Sequence, residues 1–211
     1  MFYRLFLVTK EIRAKDPETL VRILLDQLAQ QANEGDTIAG MSSYSLHGRN
    51  GHQVRCLLAR LTDFIEQQSG IEAIGFPAYS ASRFEIEHVI ANHYERHPEC
   101  RSEEEFHRVR NRLGGLVLLP KGFDASFQDQ PYREKVEHYT GQNLLARSLH
   151  PRCYQNNPGF LAFKQRSGFA FEPIADFDQT AVEERQALYQ AVAEKIWSVD
   201  RIAAVAGNPV S

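Results

Sequence analysis

The chain has 211 residues, 43% of them hydrophobic and 24% charged, with a formal net charge of −3. That composition excludes a disordered chain, and it excludes nucleic-acid binding spread over a uniformly basic surface. No run approaches the roughly 20 apolar residues that span a bilayer, and three widely spaced cysteines, Cys56, Cys100 and Cys153, exclude a disulfide framework and point to a reducing cytoplasm.

Residues 5–8 form an apolar run without the small-residue cleavage site of a secretory signal, so they read as buried structure. The first helix begins near Asp16, a good N-cap followed by Pro17 at the first helical position. Leu20, Ile23, Leu24 and Leu28 mark its apolar face, and residues 33–36 end it. A second helix spans residues 50–68, with Val54, Leu57, Leu58, Leu61 and Ile65 on one stripe and Gly70 as its stop. The first helix is its expected partner.

The centre of the chain changes period. Residues 83–90 alternate, placing Phe84, Ile86, His88 and Ile90 on one face of a strand and Arg83, Glu85 and Glu87 on the other. Ser102 and Glu105 form a capping box that opens a helix through Phe106 and Val109 to Leu113. Gly114 and Gly115 stop it, and residues 116–119 read as a short buried strand ended by Pro120. Three more helices follow: one through Tyr132, Val136 and Tyr139, one opened by Asn157-Pro158, and a long one. Thr180 and Glu183 cap the last, which carries Leu188, Val192 and Ile196 and is anchored by Trp197. The end of the chain, after Val205, reads as a frayed tail.

The residues fit for chemistry sit in the centre. Glu87 and His88 put a carboxylate and an imidazole at a strand end, and the loop after the second strand delivers Asp124. Carboxylates are hard oxygen ligands suited to Mg²⁺ or Mn²⁺. A histidine beside such an ion can serve as general base toward water. In a regular strand Glu87 and His88 point to opposite faces, so both serve one site only where the strand ends or bulges. Arg108, Arg110, Arg112, Lys121, Arg133 and Lys135 form a local basic stretch suited to phosphate, and equally to a solvated helix face. Asp124 reads as well as a helix cap as a ligand. His93, His97 and Cys100 have a spacing that structural zinc uses, but no fourth ligand is evident.

The stretch from Glu87-His88-Val89 through Asn111 to Lys121 resembles the C-terminal nuclease domain of GmrSD-like type IV restriction endonucleases. The likeness continues through residues 131–135 to Tyr139 and through 143–149, covering roughly residues 80–200. The resemblance implies an α+β fold, a small ββα-metal core of the His-Asn-His type embedded in a mostly helical domain. By the same resemblance His88 is the general base, Asp124 stands where the third polar residue helps to bind the metal, and Glu87 is a second ligand. Lys135 is a transition-state or phosphate contact, and Arg112, Lys121 and Arg133 touch DNA phosphates.

Two positions depart from the pattern. Relatives place an asparagine at position 115 to orient the histidine; Gly115 stands here, leaving its backbone carbonyl or the nearby Asn111 to take that role. Ala91 stands where a proline is frequent. The resemblance further implies a divalent metal, Mg²⁺ first with Mn²⁺ or Ni²⁺ as substitutes, and a DNA substrate, modified phage DNA included. It also implies an N-terminal nucleotide-hydrolysing domain or subunit as partner, and no membrane association. The expected organisation is a helical linker or packing region at 1–78, a nuclease domain at 79–200 and a tail at 201–211. The competing expectations are a catalytically inactive DNA-binding remnant, since Gly115 lacks the orienting amide, and a helical interaction module.

Overall fold

Asp16 opens the first described long helix as its chemistry dictates. Its Oδ1 accepts the Thr19 amide at 2.8 Å, and this capping lowers the Asp16 carboxyl below the usual carboxylate range. Helix α1 follows over Pro17–Asn33. The computed structural model describes residues 9–33, 39–123, 127, 129–198, 201 and 204. The apolar run at 5–8, Asp124 and the tail after Val205 lie outside the described residues.

The chain divides into two compact units, one of Met1–Gly40 with Ala193–Ser211 and one of Met41–Val192. In the first, Leu24 on the expected apolar stripe is 36% exposed, and Trp197, expected as an anchor, is 37% exposed. Neither is therefore a core residue.

The larger unit is α+β. It contains helix α2 at Gly51–Gln68, α3 at Phe76–Ser80, strand β1 at Phe84–His88 and helix α4 at Glu103–Arg110. Strand β2 at Leu116–Pro120 and helices α5 at Tyr132–His138, α6 at Leu144–Arg147 and α7 at Pro158–Ser167 follow. Helix α8 at Gln179–Ile196 closes it, with its residues to Val192 in this unit. Helix α2 packs within this unit against both strands, α3, α6 and α7.

Strands β1 and β2 pair antiparallel, with His88 opposite Leu116 and Phe84 opposite Pro120. The first strand is shorter than its alternating sequence suggested, because the chain leaves the ladder after Val89 donates to the Gly115 carbonyl at 2.9 Å. The second strand is buried over Leu116–Leu119 on both faces. Val117 and Leu119 join Val89, Phe106, Val109, Val136, Tyr139 and Val182 in one core. Its length and its Leu/Val run are what a strand covered on both sides requires.

A two-stranded sheet has two edges, and here side chains from neighbouring helices meet both. Residues 83, 85, 87 and 89 face β2 in the ladder, so the carbonyls of 84, 86, 88 and 90 point outward. On β2 the carbonyls of Leu116 and Leu118 point outward likewise. The Tyr189 hydroxyl donates to Leu116 at 2.9 Å and Asn143 Nδ2 to Leu118 at 2.6 Å. The Arg185 guanidinium in turn donates to the Tyr189 hydroxyl and to the Leu145 carbonyl. Buried carbonyls left without such donors would each cost on the order of 1–3 kcal/mol.

Three caps refine the sequence reading. Ser102 Oγ accepts the Glu105 amide at 3.2 Å, as a capping box demands, while the Glu105 carboxylate returns to the Arg101 amide. The last helix is capped by Asp178, whose Oδ1 accepts the Ala181 amide at 2.9 Å, and not by Thr180. Glu183 instead pairs with Arg112 at 3.2 Å. The expected helix end at Leu113 comes earlier, at Arg110, with Asn111 as C-cap and a single 3₁₀ turn over Leu113–Gly115.

Gly114 sits where α8 crosses the start of β2. A Cβ there would overlap the Val182 carbonyl oxygen and lie 2.5 Å from the Gln186 nitrogen. Its amide donates to Gln186 Oε1 at 2.7 Å. Gly114→Ala is expected to destabilise the domain by about 3 kcal/mol through overpacking. Gly141→Ala, whose added methyl would meet nothing within 4 Å, is expected to stay within about 0.5 kcal/mol of the wild type. Urea unfolding of the two variants measures both.

Candidate active site

His88 is the last residue of β1, and its ring reaches the C-terminal end of α4. Nε2 lies 2.9 Å from Asn111 Oδ1. An amide oxygen only accepts, so Nε2 carries the proton and Nδ1 holds the lone pair. The ring is partly buried. Burial first, then the nearby Arg110 cation, push its pKa down from 6.5 to about 4, against the opposing pull of the Asn111 bond. Lys135 and His107 add smaller effects in the same downward direction. At neutral pH the imidazole is therefore uncharged, with one tautomer fixed by Asn111.

The orienting group is thus Asn111. The Gly115 carbonyl, the other group expected to orient the ring, is taken by the Val89 amide. A side chain at 115 would press on the Arg110 carbonyl oxygen, 3.2 Å from an added Cβ. The helix-capping asparagine reaches the ring from four positions earlier because the turn over Leu113–Gly115 carries the chain back beneath it.

Glu87 and Lys135 form a buried ion pair. The residues are 7% and 1% exposed, and Lys135 also donates to the His88 carbonyl at 2.8 Å. The alternating pattern places Glu87 on the face opposite His88; there helix α5 brings Lys135 onto it. Lys135 is consequently a cap on the outer edge of β1, with its ammonium turned to Glu87 and the backbone and not to solvent.

The remaining expected contacts are dispersed. Arg112 is held by Glu183 and donates to the Ser42 carbonyl at 2.9 Å. Arg133 makes a two-bond pair with Asp176 at 2.8 and 2.9 Å on the surface. Lys121 is exposed, with Glu85 at 3.8 Å. The zinc spacing dissolves in three dimensions: His93 Nδ1 pairs with Glu95 and His97 Nδ1 with Glu99, while Cys100 is buried.

The described residues do not fit a divalent ion. Of the two carboxylates expected to hold it, Glu87 is neutralised by Lys135, and Asp124 lies outside the described residues. Among the described residues no three His, Cys, Asp or Glu side chains converge in a metal-holding group.

A family model for "GmrSD restriction endonucleases, C-terminal domain" matches residues 4–192. The chain belongs to that family. No curated protein and no solved structure matched. As a GmrSD C-terminal domain it is the nuclease domain of a restriction endonuclease. Among its described residues no helix is long and apolar enough to cross a membrane. The match begins well before residue 80, in accord with the packing of α2 against both strands.

One residue escaped the sequence reading as an individual. Arg110 counted only as part of a basic stretch, yet it sits next to Asn111 and exerts the largest charge effect on His88. The available signal was its place in the last turn of the helix that orients the histidine.

Two measurements test this geometry. An unfolded histidine binds its proton near 6.5 and the folded His88 only near 4. The stability held by the neutral ring is therefore present above pH 6.5 and is lost as pH falls toward 4. Unfolding free energy is expected to decline more steeply over that window in the wild type than in His88→Gln. Lys135→Met removes the ammonium that faces the buried Glu87 carboxylate and is expected to cost about 3–5 kcal/mol. Adding Glu87→Gln to Lys135→Met should recover most of that loss in urea melts; a fully additive double variant would refute the pairing.

Proposed function

We infer that this GmrSD C-terminal domain hydrolyses phosphodiester bonds of DNA, modified phage DNA included, with His88 as the general base. The observation that carries the reading is the neutral His88 ring fixed by Asn111 with Nδ1 left to accept a proton. In this reading Nδ1 removes a proton from a water molecule as its oxygen attacks phosphorus. A P–O bond forms, the bond to the 3′ oxygen breaks, and the leaving oxygen takes a proton from solvent. Lys121 is exposed and its nearest described carboxylate, Glu85, stands 3.8 Å away, and Arg112 and Arg133 offer their remaining N–H groups to the same backbone. An N-terminal nucleotide-hydrolysing domain or subunit belongs to the same proposal, as do the His-Asn-His assignment and a cytoplasmic setting.

A second reading is favoured by one specific observation. The Glu87 carboxylate is committed to Lys135, which suits a domain that binds DNA without cutting it.

Plasmid cleavage by the full chain, with Mg²⁺, Mn²⁺, Ni²⁺ or a chelator present, separates the two. Cutting is expected, and His88→Ala should slow it by about 100-fold or more. Cutting by His88→Ala at the wild-type rate removes this residue from the mechanism. Salt-sensitive DNA binding by a wild type that never cuts establishes the second reading.

A further inference from the structure

Arg110 lies in the last turn of α4, the helix whose C-cap is Asn111. Its Nε donates to the Ile90 carbonyl at 3.0 Å, an outward-pointing carbonyl just beyond β1 and two residues past His88. The side chain is partly buried. Its two terminal nitrogens donate to no described residue, and no carboxylate among the described residues lies within ion-pair distance. That sets it apart from the neighbouring cations. Arg108 is paired with Glu105, Arg112 with Glu183, Arg133 with Asp176 and Lys135 with Glu87.

Partial burial lowers the Arg110 pKa from its ordinary value, with Glu87 pulling the other way. A guanidinium that is partly desolvated, fixed by one nitrogen and open at two is a costly arrangement in a domain at rest. A favourable interaction with the helix C-terminus does not explain it, because a fully solvated arginine would serve the dipole as well. The open pair of N–H groups matches the spacing of two oxygens of a phosphate. Such a charge beside the histidine also makes chemical sense. It depresses proton affinity of the ring while the site is empty, and an anion seated on it would offset that effect.

We propose that Arg110 is the phosphate ligand of the site, its two terminal nitrogens holding non-bridging oxygens of one phosphodiester beside His88. The assignment rests on the reading of the domain as a DNA nuclease, and it supplies the positive charge that the described carboxylates do not recruit through a metal. As the water attacks, negative charge grows on those oxygens. A guanidinium already in place stabilises it without reorganisation. Nε, held by the Ile90 carbonyl, fixes the plane of the group relative to the ring.

The test uses the full chain and two readouts. The first is NMR titration with the dinucleotide thymidylyl-thymidine, which contains one phosphodiester, following the arginine Nε–H and histidine ring signals. In the wild type the Arg110 and His88 signals should move together. Arg110→Gln should weaken binding by about tenfold or more, the size expected for charge-assisted bonds, and Arg110→Lys should recover part of it. Thermal melts establish that each variant is folded; if Arg110→Gln is not, the lysine variant decides, through loss of the paired contact and a drop in affinity below the wild type. The second readout is plasmid cleavage, where Arg110→Gln should lower kcat as well as raise KM. Unchanged dinucleotide affinity in the folded variants overturns the proposal. A wild type that binds the dinucleotide through Arg110 but never cuts DNA upholds the phosphate site and removes only the nuclease reading.

Discussion

The sheet at the centre of this domain has only two strands, so every strand is an edge strand. Burying such a sheet among helices is possible only where each outward carbonyl finds a donor, because water is excluded and the ladder cannot continue. Side chains of the helices and their caps supply donors to four of these carbonyls: Tyr189 and Asn143 against β2, Lys135 and Arg110 against the other side. This requirement fixes where α4, α5 and α8 stand. The same requirement places two cations beside the histidine, so the closure of the sheet and the electrostatics of the site are one arrangement.

Burial first, and those cations after it, decide what His88 is. A partly buried imidazole facing Arg110, with Lys135 and His107 farther off, is held neutral. Asn111 then selects which nitrogen carries the proton. A carboxylate in that place would have raised the proton affinity of the ring and turned it from a base into an acid. Glu87, a neighbouring acid, is kept from doing so by Lys135 and by its position on the opposite face of the strand. The site is therefore cationic with a neutral base in its midst, an environment suited to a phosphate anion and an incoming water.

Glycines set the spacing of the same region. With no side chain at 114, α8 rests directly on the backbone and Gln186 reaches the amide. With none at 115, the turn folds tightly enough for Asn111 to lie under the histidine. The resemblance led to the expectation of an orienting asparagine at the second of these positions. Here the ring is met instead from the helix cap, by Asn111.

The amino-acid sequence by itself determined the local elements and singled out His88 as the candidate base. The alternation around 84–88, the Leu/Val run at 116–119 and the capping residues Asp16 and Ser102 act over a few residues, so their physics is readable in order along the chain. It also placed Asn111 among two possible orienters of His88, without deciding between them. Tertiary structure decided the rest. Which face of β1 Glu87 occupies meant little until α5 covered it, and the cap of α8 passed from Thr180 to Asp178 once Glu183 was drawn to Arg112. Lys135 and Arg110 read identically as basic letters. Only the fold, by giving one a carboxylate and leaving the other with two open nitrogens, made the first a structural cation and the second a place for an anion, because the energy of a charge depends on what surrounds it and not on its position in the chain.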